Sequence, residues 1–364
     1  MKILIASGGT YGHLFPALSV SEVLSKDEAN KVLVVLDNYR NRSLPVLNNV
    51  EFAYIDSMPI KIVLGLQFLY SIVKFIQGIF QSFFIVARYN PDICIGFGSY
   101  ASLGIVFAAY LNKIPTIIHE QNVKPGKANR FLSYFVNKIL LSFPKSRDYF
   151  KKDKKIELVG NPLRLDLRKV DLLKAKSHFG FKQDAFVLLV TGGSQGSSKI
   201  NSIFIKSLVL LPKELKDNLA IIHIAGEKQR LLVENRYRQF SFNARVYGFF
   251  EDMSFVYSAS DLAISRSGAM TVAELSFFGL PAILIPYPFA GAHQVLNAKC
   301  LADSSKVVLL EEANFCPSCL AEAITGLFFN RDKTQARKAD DDIVNSSAVK
   351  IAVSLNKLYK ENQS

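Results

Sequence analysis

Two glycine-rich turns of the same design, about half the chain apart, constrain this sequence most. Residues 2–6 (KILIA) run into Ser7-Gly8-Gly9-Thr10-Tyr11-Gly12-His13, and residues 186–191 (FVLLVT) run into Gly192-Gly193-Ser194-Gln195-Gly196-Ser197. A short apolar run followed at once by glycines reads as a buried parallel strand turning into a helix. The helix N-terminus leaves N–H donors unpaired and carries partial positive charge, so such a turn favours an anion. Two of them predict two similar α/β domains serving a shared phosphate-bearing ligand.

The rest of the chain repeats the pattern. Apolar runs at 2–6, 32–36, 52–55, 93–96, 116–119, 138–142 and 156–159 predict strands in the first half. Those at 186–191, 219–225, 244–247, 262–265, 282–285 and 306–309 predict strands in the second. Helical patterns separate most of them, as in parallel sheets covered on both faces. A length of 364 residues suits two such domains. Gly160-Asn161-Pro162 marks the expected join, giving domains 1–162 and 163–332. Residues 333–364 read as a polar C-terminal helix expected to pack back on the first domain. Its acidic triplet Asp340-Asp341-Asp342 reads as a solvated face.

The net charge of +13 fits an anionic partner, and the first 162 residues hold 19 Lys and Arg against 11 Asp and Glu. The basic residues are scattered, although Lys151-Lys152-Asp153-Lys154-Lys155 clusters, and no nucleic-acid-binding motif accompanies them. Nucleic acid is therefore not expected as a partner. Nothing at the N-terminus reads as a signal peptide, and four cysteines are too few for a disulfide framework. Cys316-Pro317-Ser318-Cys319 reads as packing and helix capping.

The stretch 62–87 is nearly all apolar. Gln67, Ser71, Lys74, Gln77, Gly78, Gln81 and Ser82 nevertheless recur at helical spacing and make a polar stripe. A lysine and three glutamines argue against a span through lipid. The alternatives are a core helix and a helix lying in a membrane interface; the breadth of the apolar surface favours partial exposure to lipid.

Residues able to carry chemistry follow the turns. His13 emerges beside the first anion site and can act as a general base or merely pack. Arg266-Ser267-Gly268-Ala269 opens another helix after a strand, with Glu274 about one turn in. Gln294 and Asn297, three apart, are expected to face one pocket with amides suited to sugar hydroxyls.

These segments together resemble the MurG family of glycosyltransferases. The family's GGTxGHxxPA turn corresponds to Gly8 through Ala17, and its second glycine loop resembles Gly96-Phe97-Gly98-Ser99-Tyr100. The HEQN segment corresponds to His119-Glu120-Gln121-Asn122, followed by Pro125-Gly126 and Asn129-Arg130. GNPxR matches Gly160 through Arg164, GGSxG matches Gly192 through Gly196, and the nucleotide-sugar helix matches Arg266 through Glu274.

The resemblance implies a GT-B fold, two Rossmann-like parallel-sheet domains facing across a cleft. It implies inverting, metal-independent and cofactor-free transfer of N-acetylglucosamine from UDP-GlcNAc to the C4 hydroxyl of the muramoyl sugar of lipid I, giving lipid II. No DxD-type carboxylates at a strand end interrupt that reading. His13 takes the position of the base. Thr10, Tyr11 and Gly12 belong to the donor–acceptor region, and Asn122 to the donor sugar. Arg164 and Ser194 belong to the nucleotide or its phosphates, and Phe250 to uracil. Ala269, Met270, Thr271, Val272 and Ala273 form the diphosphate helix turn, Glu274 meets ribose and Gln294 meets GlcNAc. The implied setting is the cytoplasmic face of the cell membrane, on an anionic surface, with other cell-wall synthesis proteins as further partners. A different lipid acceptor such as diacylglycerol, and a silent nucleotide-sugar-binding scaffold, are the rival readings. Tyr11 and Ser99 stand where the family commonly has glycine, which bears on the acceptor more than on the donor.

Overall fold

The computed structural model describes residues 1–8, 11–37, 47–57, 66–151, 155–164, 166–193, 195–240, 242–288, 293–302, 306–330 and 343–363. Thr10, Ser194, most of the basic cluster and the acidic triplet lie outside these residues. The chain divides into two compact units, Met1–Arg164 with Val344–Ser364, and Leu165–Ile343.

Every apolar run assigned above becomes a strand. The first unit holds β1 (Lys2–Ser7), β2 (Lys31–Asp37), β3 (Val50–Ile55), β4 (Ile93–Gly96), β5 (Thr116–Glu120), β6 (Lys138–Leu141) and β7 (Ile156–Leu158). They form one parallel sheet in the order β3-β2-β1-β4-β5-β6-β7. The helices α1 (Tyr11–Ser25), α2 (Leu66–Tyr89), α3 (Ser99–Leu111) and α4 (Lys127–Leu132) connect them. Parallel pairing requires such crossovers, and it buries both faces of the central strands, which is why β1 and β4 read as unbroken apolar runs.

One face of this sheet packs on α1 and on the C-terminal helix Ile343–Glu361. Ala348, Ile351, Ala352, Leu355 and Leu358 enter the same core as Ile3, Leu18 and Val34. Their spacing of three or four is a helical stripe. Ser354 Oγ donates to Glu157 Oε2 at 2.9 Å and ties the helix to β7.

The opposite face carries α2, α3 and α4 side by side, and α2 is turned against ordinary expectation. Most of its polar stripe faces inward, while Gln67 and Gln77 are exposed. Ser71 and Ser82 are buried, Lys74 Nζ meets Asp56 Oδ2 at 3.0 Å, and Gln81 Oε1 accepts the Asp56 N–H at 2.7 Å. Gly104 of α3 packs directly beneath Ser82. The apolar residues Tyr70, Val73, Ile76, Phe80 and Phe84 face outward instead, with Phe80 71 % and Phe84 64 % exposed.

The second unit repeats the design. β8 (Phe186–Thr191), β9 (Leu219–Ile224), β10 (Asn243–Tyr247), β11 (Leu262–Ser265), β12 (Ala282–Leu284) and β13 (Val307–Leu309) are parallel in the order β10-β9-β8-β11-β12-β13. Its helices are α5 (Leu172–His178), α6 (Ser198–Ser207), α7 (Lys213–Asp217), α8 (Arg230–Phe240), α9 (Met253–Ala259), α10 (Ala269–Phe278), α11 (His293–Ala302) and α12 (Pro317–Phe329). Cys316 caps α12, taking the Cys319 N–H, so the capping role holds. The structure also closes Cys316 and Cys319 as a disulfide, which packing alone did not anticipate; it spans one helical turn and staples no distant segments.

Candidate active site

In a doubly wound sheet, ligands bind beyond the carboxyl ends of the strands where strand order reverses. That switch point lies between β1 and β4 in the first unit and between β8 and β11 in the second. The four loops that leave these strands are the glycine-rich segments.

In the first unit, the β1 loop leads to α1 and His13. The β4 loop contributes Gly98, whose φ of +88° suits glycine. A Cβ there would lie 3.1 Å from His13 Cε1, so the bare backbone also makes room for the imidazole. His13 Nδ1 lies 3.1 Å from Gln121 Oε1. Gln121 is buried, and its Nε2 lies 3.1 Å from both Phe97 O and His119 Nδ1. His119 Nε2 lies 3.0 Å from Gly160 O. Burial drives the His119 pKa down to about 4, against a smaller opposing effect of that carbonyl.

A Cβ on Gly12 would meet nothing within 4 Å among the described residues, and the Tyr11 side chain falls outside what the structure describes. The neighbouring Ser99 has φ +81°, and its buried hydroxyl finds no hydrogen-bond partner among the described residues. Asn122 sits in a loop organised by Glu120. That carboxylate accepts from Asn122 N, Asn122 Nδ2, Gly126 N and Asn129 Nδ2 at 2.9–3.2 Å. Arg164 lays its guanidinium over the Phe15 ring at 5.1 Å.

In the second unit, Gly196 answers two demands. Its φ is +72°, and a Cβ would lie 2.1 Å from Ala225 O. Ser197 then caps α6. Beside it, α10 begins at Gly268 with no side-chain cap, so the first N–H groups of Ala269, Met270 and Thr271 are presented by backbone alone. Val272 is buried and Ala273 half-buried on the same first turns. Glu274 is almost fully buried and accepts the Tyr257 hydroxyl at 2.7 Å. Phe250 belongs to an aromatic cluster with Tyr247 and Phe179, at centroid distances of 4.7 and 5.6 Å.

Gln294 and Asn297 do share a face, and both side chains bond to the backbone of neighbouring loops. Gln294 Oε1 accepts from Tyr287 N at 2.9 Å and Ser267 N at 3.3 Å. The fully buried Asn297 donates to Ser267 O at 3.3 Å. The expectation that both amides address a sugar is corrected for Asn297, which braces the turn into α10.

Arg266 is a further participant that its place in the glycine turn does not reveal. Its guanidinium donates to Ile285 O, Pro286 O, Glu312 Oε2 and Ser197 Oγ, and stacks on Tyr287. Glu312 also binds Lys199. This pair joins the ends of β11 and β12 to the cap of α6. Glu312 carried no local signal, being one acidic residue in a loop 46 residues from its partner. Among the described residues, no group of three or more His, Cys, Asp or Glu could hold a metal.

Comparisons with known proteins identify the family and the fold. The model described as "Glycosyltransferase family 28 N-terminal domain" matches residues 3–141, and that of the C-terminal domain matches residues 187–354. A Thermodesulfovibrio yellowstonii protein is 36 % identical over 89 % of each chain, and one from Geobacter sulfurreducens is 38 % identical over 90 % of each. Both are named UDP-N-acetylglucosamine–N-acetylmuramyl-(pentapeptide) pyrophosphoryl-undecaprenol N-acetylglucosamine transferase. The Acinetobacter baumannii MurG crystal structure matches with a TM-score of 0.71 at 24 % identity, covering 98 % of this chain and all of that one. A Neisseria meningitidis UDP-GlcNAc 2-epimerase bound to UDP-GlcNAc matches at 0.67 and 15 % identity, covering 98 % of this chain and all of that one. The fold is thus shared with enzymes of different chemistry, and sequence identity over nearly the whole length decides between them. The chain has the GT-B architecture and belongs to the MurG family of hexosyltransferases.

Proposed function

We propose that this enzyme transfers N-acetylglucosamine from UDP-GlcNAc to the C4 hydroxyl of the muramoyl sugar of lipid I, giving lipid II. The observation that carries the donor half is the uncapped N-terminus of α10, with buried Glu274 one turn in, at the switch point of the second sheet. Backbone N–H groups there suit the diphosphate, and the Glu274 carboxylate suits the ribose hydroxyls. Ser194, Arg164 and Asn122 are assigned to the nucleotide and donor sugar, Phe250 to uracil and Gln294 to the GlcNAc. Thr10, Tyr11 and Gly12 are assigned to the region where donor and acceptor meet.

His13 removes the acceptor proton as the hydroxyl oxygen attacks the anomeric carbon. The bond from that carbon to the diphosphate breaks, its electron pair leaves on UDP, and the anomeric configuration inverts. The α10 donors stabilise the charge that builds on the leaving oxygen.

The outward face of α2 supports work at a membrane. The helices packed in series beside it also expose Tyr110 and Leu111 of α3 and Phe131 of α4, and Arg88, Lys127 and Arg130 are exposed on these three helices. We assign this face to an anionic cytoplasmic leaflet, where a lipid-linked diphosphate is presented. Other cell-wall synthesis proteins are then natural neighbours.

The test is a panel of donors and acceptors with EDTA present. Radiolabelled GlcNAc, glucose and galactose are offered as UDP conjugates against a soluble lipid I analogue and diacylglycerol. Transfer of GlcNAc to the lipid I analogue alone is expected. Glucosylation of diacylglycerol would replace the acceptor assignment, and donor binding without transfer to either acceptor would mark a scaffold.

A further inference from the structure

The hydrogen bonds beneath His13 have a polarity that can be read from one end. Gly160 O can only accept, so His119 Nε2, 3.0 Å away, carries a proton. His119 is buried and neutral near pH 7, so its Nδ1 keeps a lone pair and accepts from Gln121 Nε2 at 3.1 Å. The same amide nitrogen faces two carbonyl oxygens, Phe97 O at 3.1 Å and His119 O at 3.3 Å. Reversing the amide would set its oxygen against both, so its orientation is determined by its neighbours. Gln121 Oε1 therefore faces His13, and the nitrogen it meets at 3.1 Å must be N–H.

We propose that Gln121 is a positioning residue: its amide, oriented by Phe97 O and His119, holds His13 as the Nδ1–H tautomer with Nε2 as the proton acceptor. The proposal rests on reading His13 as the base. During transfer, the sugar hydroxyl proton moves to Nε2, while Nδ1–H remains donated to Gln121 Oε1. A neutral imidazole has one N–H, and the other tautomer would offer a donor where the reaction needs a lone pair. Gly98 supports the arrangement, because any side chain there would displace the ring.

The experiment uses the full chain labelled with 15N-histidine. It contains five histidines, and the His13 signals are assigned by their loss in His13→Ala. Long-range proton–nitrogen spectra near pH 7 should show His13 protonated on Nδ1 in the wild type. Protonation on Nε2 would overturn the proposal without any variant. In Gln121→Met, which keeps the length and removes both ends of the amide, the Nδ1–H signature should be lost. Its kcat should fall on the order of 10²-fold, within the range a positioned base supplies, with the Kd for UDP-GlcNAc unchanged. Normal turnover in Gln121→Met beside an inactive His13→Ala would overturn the relay. Full activity in His13→Ala would instead overturn the base assignment beneath it.

Discussion

Gly8 and Ser99 form a pair whose energetic coupling can be worked out from geometry. Ser99 stands at φ +81°, a region unfavourable for an L-residue by about 1–2 kcal/mol. Its hydroxyl is buried with no partner among the described residues, which costs roughly 1–3 kcal/mol. Ser99→Gly removes both effects and adds unfolded-chain entropy of about 0.5–1 kcal/mol. The first unit should gain about 1–4 kcal/mol. Gly8→Ala acts in the opposite direction, because its Cβ would lie 2.4 Å from Ser99 Cβ. Overpacking of that kind costs about 1–3 kcal/mol. Among the described residues, the next contact beyond Ser99 is Asp37 Oδ2 at 3.6 Å, an ordinary separation. In a Ser99→Gly background the clash has no partner, so Gly8→Ala should become nearly neutral. Urea unfolding of the two single variants and the double variant, followed by a probe in the first unit, gives the coupling energy. A coupling of at least about 1 kcal/mol is expected. Additivity, or a Ser99→Gly chain less stable than wild type, would refute the reasoning.

Three further outcomes follow from other parts of the molecule. Burial holds the His119 pKa at about 4 and that of His223 at about 3, whereas the unfolded chain takes up these protons near 6.5. Their contribution is fully present above pH 6.5. It declines as pH falls toward each folded value, by about 1.4 kcal/mol per pH unit for each group, which denaturant titrations across that window will measure. Glu312→Gln should destabilise the second unit by about 3 kcal/mol, because Arg266 loses its charge partner while remaining buried. Denaturation monitored in that unit checks it. The double variant Phe80→Ser, Phe84→Ser should reduce partition onto anionic vesicles about 10²-fold in flotation assays while leaving the fold intact.

The parallel sheets could be read from the chain because strands buried on both faces are unbroken apolar runs, and β1, β4, β8 and β11 are of that kind. The orientation of α2 could not. Periodicity places Ser71, Lys74 and Ser82 on one stripe, but only Asp56 and the close approach of Gly104 decide that the stripe turns inward. The same limit applies to Asn297, whose spacing from Gln294 reads correctly while the surface they meet, the backbone of Ser267, belongs to another loop. Gln121 stood within a motif, yet its partners are His13, Phe97 and His119, brought together by three adjacent strands. Arg266 and Glu312 meet for the same reason. Local pattern reports elements and turns; side-chain bonds between distant loops appear only with the fold.

His13 of the first unit and Glu274 of the second are proposed to serve one reaction in different steps. The measurement is single-turnover GlcNAc transfer together with the Kd for UDP-GlcNAc, made on wild type, His13→Ala and Glu274→Ala. His13→Ala is expected to bind the donor normally and to lose 10²–10⁴-fold in rate, roughly the contribution of a general base. Glu274→Ala should lose donor affinity instead. A His13→Ala enzyme that transfers at the wild-type rate, or a Glu274→Ala enzyme that binds UDP-GlcNAc undiminished, would contradict it.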